Sequence, residues 1–295
     1  MYKTAMLIVN MFSGRGVSNG VLGEIVSKLS DSGVAATVYT LANHTAHELA
    51  AKYAADYDLV ICVGGDGTLS SVTSGLMSLS NPPPLGYIPT GTANDVAQTL
   101  GISRHVSTAV SDIINGRPKP LDVGQFGDEY FIYIAAFGAF TDVSYQTPQS
   151  SKRAFGHLAY VLSGLAAVTS ITTHIVSVEC DEGIVEDEFI FGAVTNSTSI
   201  AGFVRLDDAL VDLSDGLFEV ILVRRPLSLI DFGDIITEIR KKSFQSDNIL
   251  LLHTDNVTFN FSKEVSWTRD GENGGLHKSI EIKNHKNALR IITKK

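Results

Sequence analysis

The run Leu59 to Val63, LVICV, is apolar at every position and ends abruptly in Gly64-Gly65-Asp66-Gly67-Thr68. A strand with one wet face alternates polar and apolar residues. One that is apolar throughout has both faces covered, as strands of a parallel sheet do. The surrounding pattern agrees. Ala5 to Val9 reads as a short strand, and Val21, Leu22, Ile25, Val26 and Leu29 follow at helical spacing. Val34 to Thr40 reads as a second strand, and Ala46, Leu49, Ala50 and Tyr53 as a second helical stripe. After the glycines come Leu69, Val72 and Leu76, then Leu85 to Ile88, then a helix from about Ala93. These repeated βα units predict an α/β N-terminal domain with a parallel, doubly wound sheet and helices on both faces.

After Asp122 the texture changes. Tyr130 to Phe137, Ile175 to Glu179, Glu188 to Val194, Leu217 to Val223, Val257 to Phe261 and Ser279 to Ile282 are strand-like, many of them separated by turn residues. Two helical segments interrupt them, near Ala154 to Val168 and Leu227 to Lys242. The expectation is a β-rich sandwich as C-terminal domain. The division is 1–122 and 123–285. Periodicity leaves open whether the last segment, 286–295 with its strand-like piece Ala288 to Thr293, returns to the first domain.

With 295 residues, 44% of them hydrophobic and 19% charged, the chain has room for two cores. Its longest nearly unbroken apolar run, Phe131 to Phe140, is too short to cross a bilayer. No positively charged start precedes an apolar secretory segment, so a cytoplasmic protein is expected. Cys62 and Cys180 are far apart in strand-like runs and read as reduced and structural. A net charge of -9 argues against a broad nucleic-acid-binding surface.

Gly64 to Thr68 falls at the carboxyl end of a predicted strand and just before a helix, where open α/β sheets bind ligands. Glycine lets backbone approach a ligand closely. The helix start offers free N–H groups and a positive dipole end, which favour an anion such as phosphate, and Thr68 adds a hydroxyl. Asp66 would repel phosphate unless a divalent cation bridges the two. The string therefore suggests nucleotide phosphate with Mg2+; read blandly, it is a strand-to-helix turn capped by Asp66.

Two further loops repeat the logic. Pro89-Thr90-Gly91-Thr92-Ala93-Asn94-Asp95 follows the strand Leu85 to Ile88. Asn10-Met11-Phe12-Ser13-Gly14-Arg15-Gly16 follows the first strand, and its glycines and Arg15 suit phosphate contact. The sequence contains neither GxxxxGK[ST] nor GxGxxG after the first strand, so a Walker P-loop and a dinucleotide fingerprint are not expected.

Gly64-Gly65-Asp66-Gly67-Thr68 and Gly91-Thr92-Ala93-Asn94-Asp95-Val96-Ala97 together resemble the diacylglycerol kinase catalytic-domain family of bacterial lipid kinases. Asn10 to Gly14 fits that family's looser NPxSG pattern with Met11 in place of proline, and Thr40 matches a threonine near the nucleotide. His44-Thr45-Ala46 departs from the family's Gly-Asp-Ala. The resemblance continues through Lys152 to Tyr160 and covers nearly the whole chain. It implies ATP and Mg2+ as cofactors. Asn10, Ser13, Gly14, Thr40, Gly64, Gly65, Asp66, Gly67, Thr68 and Thr92 would line the nucleotide, and Asp66, Asp95 and Asp122 would form an acidic network around Mg2+. Asp212-Leu213-Ser214-Asp215-Gly216-Leu217 resembles a loop holding a structural Mg2+ through the carbonyls of Asp212 and Leu217 and the side chain of Asp215. Glu272 of Arg269-Asp270-Gly271-Glu272 would be the catalytic base, with Asp66 and Asp95 as the other catalytic residues. From the residues alone, Asp270-Gly271 reads as a hairpin turn and Glu272 as a solvated acid.

The implied activity is transfer of the γ-phosphate of ATP to a hydroxyl of diacylglycerol or a related lipid. The alternatives are an NAD kinase-like enzyme acting on a soluble substrate, and a non-catalytic lipid- or nucleotide-binding regulator. The lipid would be met by transient peripheral contact with a membrane. Candidates for that contact are the apolar stripe Leu158, Val161, Leu162 and Leu165 and the basic pairs Arg224-Arg225 and Lys241-Lys242, each of which has a bland reading as core or solvated surface. A homodimer is left open.

Overall fold

The computed structural model describes residues 2–14, 16–138, 172–197, 199–200, 204–205, 212–241, 244 and 246–294. Arg15, Lys242, the Lys152 to Tyr160 segment and the predicted helix Ala154 to Val168 lie outside the described residues. The chain forms two compact units, residues 1–123 with 286–295, and residues 124–285.

In the first unit the order is β1 (Thr4–Val9), α1 (Asn19–Asp31), β2 (Ala35–Thr40), α2 (Ala46–Tyr53), β3 (Leu59–Gly64), α3 (Asp66–Leu76), β4 (Leu85–Pro89), α4 (Asp95–Thr99), α5 (Val106–Asn115) and the start of β5 (Arg117–Phe126). β1 lies between β2 and β3, and β3 pairs with β4, all parallel. The returning C-terminal segment adds Ile291 beside Leu85, also parallel.

Alternation sorts the strand residues by face. Ala5, Leu7, Val9, Leu59, Ile61 and Val63 pack with Ile25 and Leu29 of α1 and with Ala109, Val110 and Ile113 of α5. Met6, Ile8, Val60, Cys62 and Tyr87 are also fully buried, and α2 packs against α3. A Cβ on Gly75 of α3 would lie 2.8 Å from that of Ala50, so the bare glycine sets how closely these two helices approach. Burial of each large aliphatic side chain contributes about 1.5–3 kcal/mol. Helix starts are capped by sequence: the Ser18 hydroxyl accepts from Val21 N–H, and Thr45 with Glu48 forms a reciprocal capping box.

The second unit continues with the end of β5, then β6 (Glu129–Phe131), β7 (Ile134–Gly138), β8 (His174–Cys180), β9 (Gly183–Thr195), β10 (Ser199–Ile200), β11 (Val204–Arg205), β12 (Phe218–Arg224), α6 (Leu229–Lys241), β13 (Ile249–Thr254), β14 (Asn256–Arg269) and β15 (Glu272–Thr293). The last strand runs on into the first unit. β7 pairs with β9, β9 with β8, β8 with β14, and β14 with β7, all antiparallel, so these four strands close on themselves. Phe137, Phe189, Phe259, Phe261 and Trp267 belong to the core here, with the Phe137 ring 4.9 Å from both Phe261 and Trp267.

The fold class read from the sequence, a parallel doubly wound sheet plus a β sandwich, is therefore corrected. The fold is mixed α/β with an antiparallel four-stranded barrel core and flanking strands. The parallel ladders are one part of a mixed sheet, because β15 is parallel to β4 at Ile291 yet antiparallel to β14 from Glu272 to Lys283. The sandwich fails for a different reason. β14 pairs with β8 through Val257–Phe261 and with β7 through Trp267–Arg269. A register irregularity between Asn260 and Val265 separates the two halves. A bulge of this kind bends a strand and turns it toward a second partner. β9 is shared in the same way, Gly183–Phe189 with β8 and Phe191–Thr195 with β7. Short strand-like runs give no sign that one strand serves two ladders.

Candidate functional site

The carboxyl ends of β1, β3 and β4 carry the three loops singled out by sequence, and the structure brings them into contact. Asn10 N–H donates to Val63 O, and Thr90 N–H donates to Gly64 O. The Asn10 side chain spans two loops, its Nδ2 donating to Thr68 Oγ1 at 3.0 Å while its Oδ1 accepts from Phe12 N–H. With Thr68 Oγ1 already accepting, its own proton remains to be donated. The glycines are required by loop-to-loop approach. A Cβ on Gly91 would sit 2.5 Å from Gly65 Cα, and one on Gly14 would sit 2.2 Å from Thr90 O. Ser13 is buried in the same junction, its hydroxyl 3.4 Å from the position a Gly65 Cβ would take.

α3 starts at this junction. Its N-cap is Gly65, which brings no capping side chain, so the first-turn N–H groups of Gly67 and Thr68 are left for another acceptor. That end also carries the positive pole of an eleven-residue helix. Donors of this kind fit a phosphate group.

Asp66 does cap a helix, but not its own. Its carboxylate accepts Asp95 N–H at 3.1 Å and Val96 N–H at 3.3 Å, at the start of α4. The acid that sequence reading left between metal network and ordinary cap thus holds the Gly91–Asp95 loop in place. Asn94 locks the same loop. It is buried in the left-handed region at φ +54, its Nδ2 donates to Gly91 O, and its Oδ1 accepts from the buried Tyr87 hydroxyl. Asp95 is largely withdrawn from water, and this burial raises its carboxyl above the ordinary range, with the Arg104 guanidinium opposing. Arg104 also donates to Ala93 O. No motif pointed to Arg104 or Tyr87; both come from outside the glycine strings.

The other predicted residues are placed as follows. Thr40 is the exposed last residue of β2, in register with Val9 at the end of β1. Thr92 is exposed on its loop. Asp122 is fully buried, and its Oδ1 accepts Asn287 N–H at 2.6 Å, tying β5 to the returning C-terminal segment. Among the described residues no three His, Cys, Asp or Glu side chains converge as a metal-holding group.

In the second unit, Asp212 Oδ1 accepts from Ser214 N–H and Oγ, and Asp215 Oδ1 accepts Leu217 N–H at 2.8 Å. These bonds fold Asp212–Leu217 into a tight loop whose carbonyls and Asp215 carboxylate are oxygen donors of the class that Mg2+ takes. Just beyond it Glu219 is buried, and burial pushes its carboxyl up to about 8, Asp215 adding to the effect against a backbone hydrogen bond. Glu272 is exposed at the start of β15, directly after a two-residue hairpin formed by Asp270 and Gly271.

Residues 4–126 match the diacylglycerol kinase catalytic domain. A diacylglycerol kinase of Bacillus subtilis is 35% identical over 281 residues, which cover 93% of this chain and 91% of that one. A diacylglycerol kinase of Staphylococcus epidermidis is 32% identical over 279 residues, 93% of this chain and 87% of that one. The crystal structure of a diacylglycerol kinase from Bacillus anthracis superposes with a TM-score of 0.78 at 23% identity, covering 99% and 97% of the two chains, a likeness of fold. Identity at this level across nearly the full length of the relatives, together with the domain match over the three loops, makes this chain a member of the diacylglycerol kinase catalytic-domain family, a family of ATP-dependent lipid kinases.

Proposed function

We propose that this chain transfers the γ-phosphate of ATP to a hydroxyl of diacylglycerol or a related lipid. As a family member it is a phosphotransferase, an ATP-dependent lipid kinase. The observation that carries the residue-level reading is the uncapped start of α3 at the junction of three glycine loops, each held to the next by backbone or side-chain bonds.

Phosphoryl transfer depends on positioning and charge neutralisation more than on covalent chemistry. The N–H groups of Gly64, Gly65, Asp66, Gly67 and Thr68 and the loop Asn10, Ser13, Gly14 would bind the phosphates, with hydroxyls from Thr40, Thr68 and Thr92. Asp66, Asp95 and Asp122 would hold Mg2+, directly or through its waters. A bound Mg2+ would neutralise phosphate charge and orient the γ-phosphate. Since Mg2+ keeps several waters and takes oxygens from phosphate, a site of this class does not require three converging protein carboxylates. Asp66 orients the Asp95 end of the loop through the two N–H bonds at α4. Asp212, Asp215 and Leu217 would hold a second, structural Mg2+.

Glu272 would take the proton from the lipid hydroxyl as it attacks. A base must come within about 2.6–3.2 Å of that oxygen, or act through one water. No described helix is long and apolar enough to cross a membrane. Contact with the lipid surface would be peripheral.

The test is labelled ATP with a panel of detergent-dispersed lipid alcohols, run with wild type and Glu272→Gln. The variant is expected to bind ATP normally and to lose turnover by roughly 100-fold or more, the usual range for a general base. Undiminished lipid phosphorylation by the variant would remove Glu272 as base. Turnover with NAD and with no lipid would replace the acceptor class.

A further inference from the structure

The hairpin that presents Glu272 is more than a turn. Asp270 and Gly271 have φ of +47° and +82°, and Arg269 and Glu272 are the pair that closes the loop between β14 and β15. Positive φ at both central residues is what a type I′ hairpin requires, and Asp-Gly supplies it in any protein. Such a turn does not require its aspartate to be buried. Asp270 is 6% exposed. Its Oδ1 accepts Tyr133 N–H at 2.9 Å and Ile134 N–H at 3.0 Å, and its Oδ2 accepts Ile132 N–H at 2.9 Å. Its own N–H donates to Ile134 O at 2.8 Å.

Residues 132 and 133 form the bend between β6 and β7, and all three residues Ile132 to Ile134 are buried. Without the carboxylate their N–H groups would lose their acceptor in a place water does not reach. The other flank is braced as well: Arg269 donates to Glu129 at the start of β6. One side chain thus fastens the turn to the β6–β7 bend, two positions before the residue read as the base.

We propose that Asp270 is the positioning residue of Glu272, a buried hook that fixes where the exposed glutamate stands. The proposal rests on the reading of Glu272 as the base. Its physical content is geometric: a misplacement of about 1 Å in a reacting group can cost on the order of 100-fold in rate. All the bonds of the hook lie in residues 124–285, whereas the residues assigned to ATP lie in residues 1–123. Disturbing the hook should therefore lower kcat and leave the KM for ATP alone.

Three variants of the full chain separate the possibilities: Asp270→Asn, Gly271→Ala and Glu272→Gln, assayed with ATP and micellar diacylglycerol well below their thermal midpoints. Asp270→Asn replaces one carboxylate oxygen by an NH2 donor, so at least one of the three N–H groups meets a donor and loses its acceptor. Gly271→Ala is the gentler change, because a Cβ there meets nothing within 4 Å and only the positive φ is strained. Both are expected to lose roughly tenfold or more in kcat, with the KM for ATP within about twofold of wild type. If Asp270→Asn does not fold, Gly271→Ala decides the matter. Full kcat in folded Gly271→Ala beside an inactive Glu272→Gln overturns the hook and leaves the base standing. A rise in KM for ATP as large as the fall in kcat makes Asp270 a general structural prop and also overturns it. Turnover by Glu272→Gln removes the base assignment, and the positioning role with it.

Discussion

Asp66 illustrates how one residue can satisfy a family motif and still do something local that the motif does not state. Its carboxylate receives two N–H groups from residues 29 and 30 positions away, at the start of a five-residue helix. So short a helix has little stability of its own and depends on such caps. Asp66→Asn replaces one acceptor oxygen by a donor, and a buried N–H left unpaired costs about 1–3 kcal/mol. The variant is expected to lose both turnover and its response to Mg2+, because the Asp95 loop is released and the proposed Mg2+ network loses a charge. A Mg2+ titration of turnover checks this, and a normal Mg2+ response would make Asp66 a cap alone. The glycine string itself was legible, since a Cβ on Gly91 would sit only 2.5 Å from Gly65 Cα and no side chain fits there. Arg104 was not, because an exposed arginine outside any motif carries no mark that it will reach Ala93.

Between elements, short polar ties fix register. Asp58, just before β3, accepts Lys3 N–H at 2.7 Å and Thr4 N–H at 3.0 Å, and its own N–H donates to Thr4 Oγ1. This reciprocal clasp sets the parallel offset of β1 on β3, Ala5 opposite Leu59. The bonds from Lys3 and Thr4 lower the Asp58 carboxyl below its ordinary 3.8. A folded-state value below the unfolded one means stability that is present above about 3.8 and is lost as pH falls through the folded value. Asp58→Asn is therefore expected to lower the thermal midpoint modestly at pH 7, the gap from wild type closing only as pH falls below about 3.8. Midpoints measured across that range test it; a gap that does not change with pH would place the effect elsewhere. β1 to β4 and α1 to α3 were readable at this scale from their periods, caps and end glycines; α5 and β5 were not, since one helix from about Ala93 was expected where the chain forms α4 and α5. The extents of β9 and β14 were not, because polar stretches such as Ser262-Lys263-Glu264 look like loop in one dimension.

In the whole molecule, the last ten residues return to the first unit, where Ile292 joins the core of Ile25, Leu29 and Ile113 and Asn287 binds Asp122. Ile292 is 2% exposed, and Ile292→Ala is expected to cost about 2–5 kcal/mol in that unit. The single tryptophan, Trp267, is fully buried in the other unit, while α1 to α5 lie in the first. Thermal unfolding of the variant followed by helical circular dichroism should shift to lower temperature more than unfolding followed by Trp267 fluorescence. Coincident shifts would show that the two units melt together.

The chain by itself determined the βα periods of the first 120 residues, the three glycine loops at strand ends and the Asp-Gly hairpin, because each is written in residues adjacent along the backbone. Only the tertiary structure decided that Asp66 caps a distant helix, that Asp270 is a buried hook, and that the antiparallel strands close into a barrel. Those outcomes depend on hydrogen-bond partners separated by about thirty to nearly 140 residues, and no local pattern encodes such a partner.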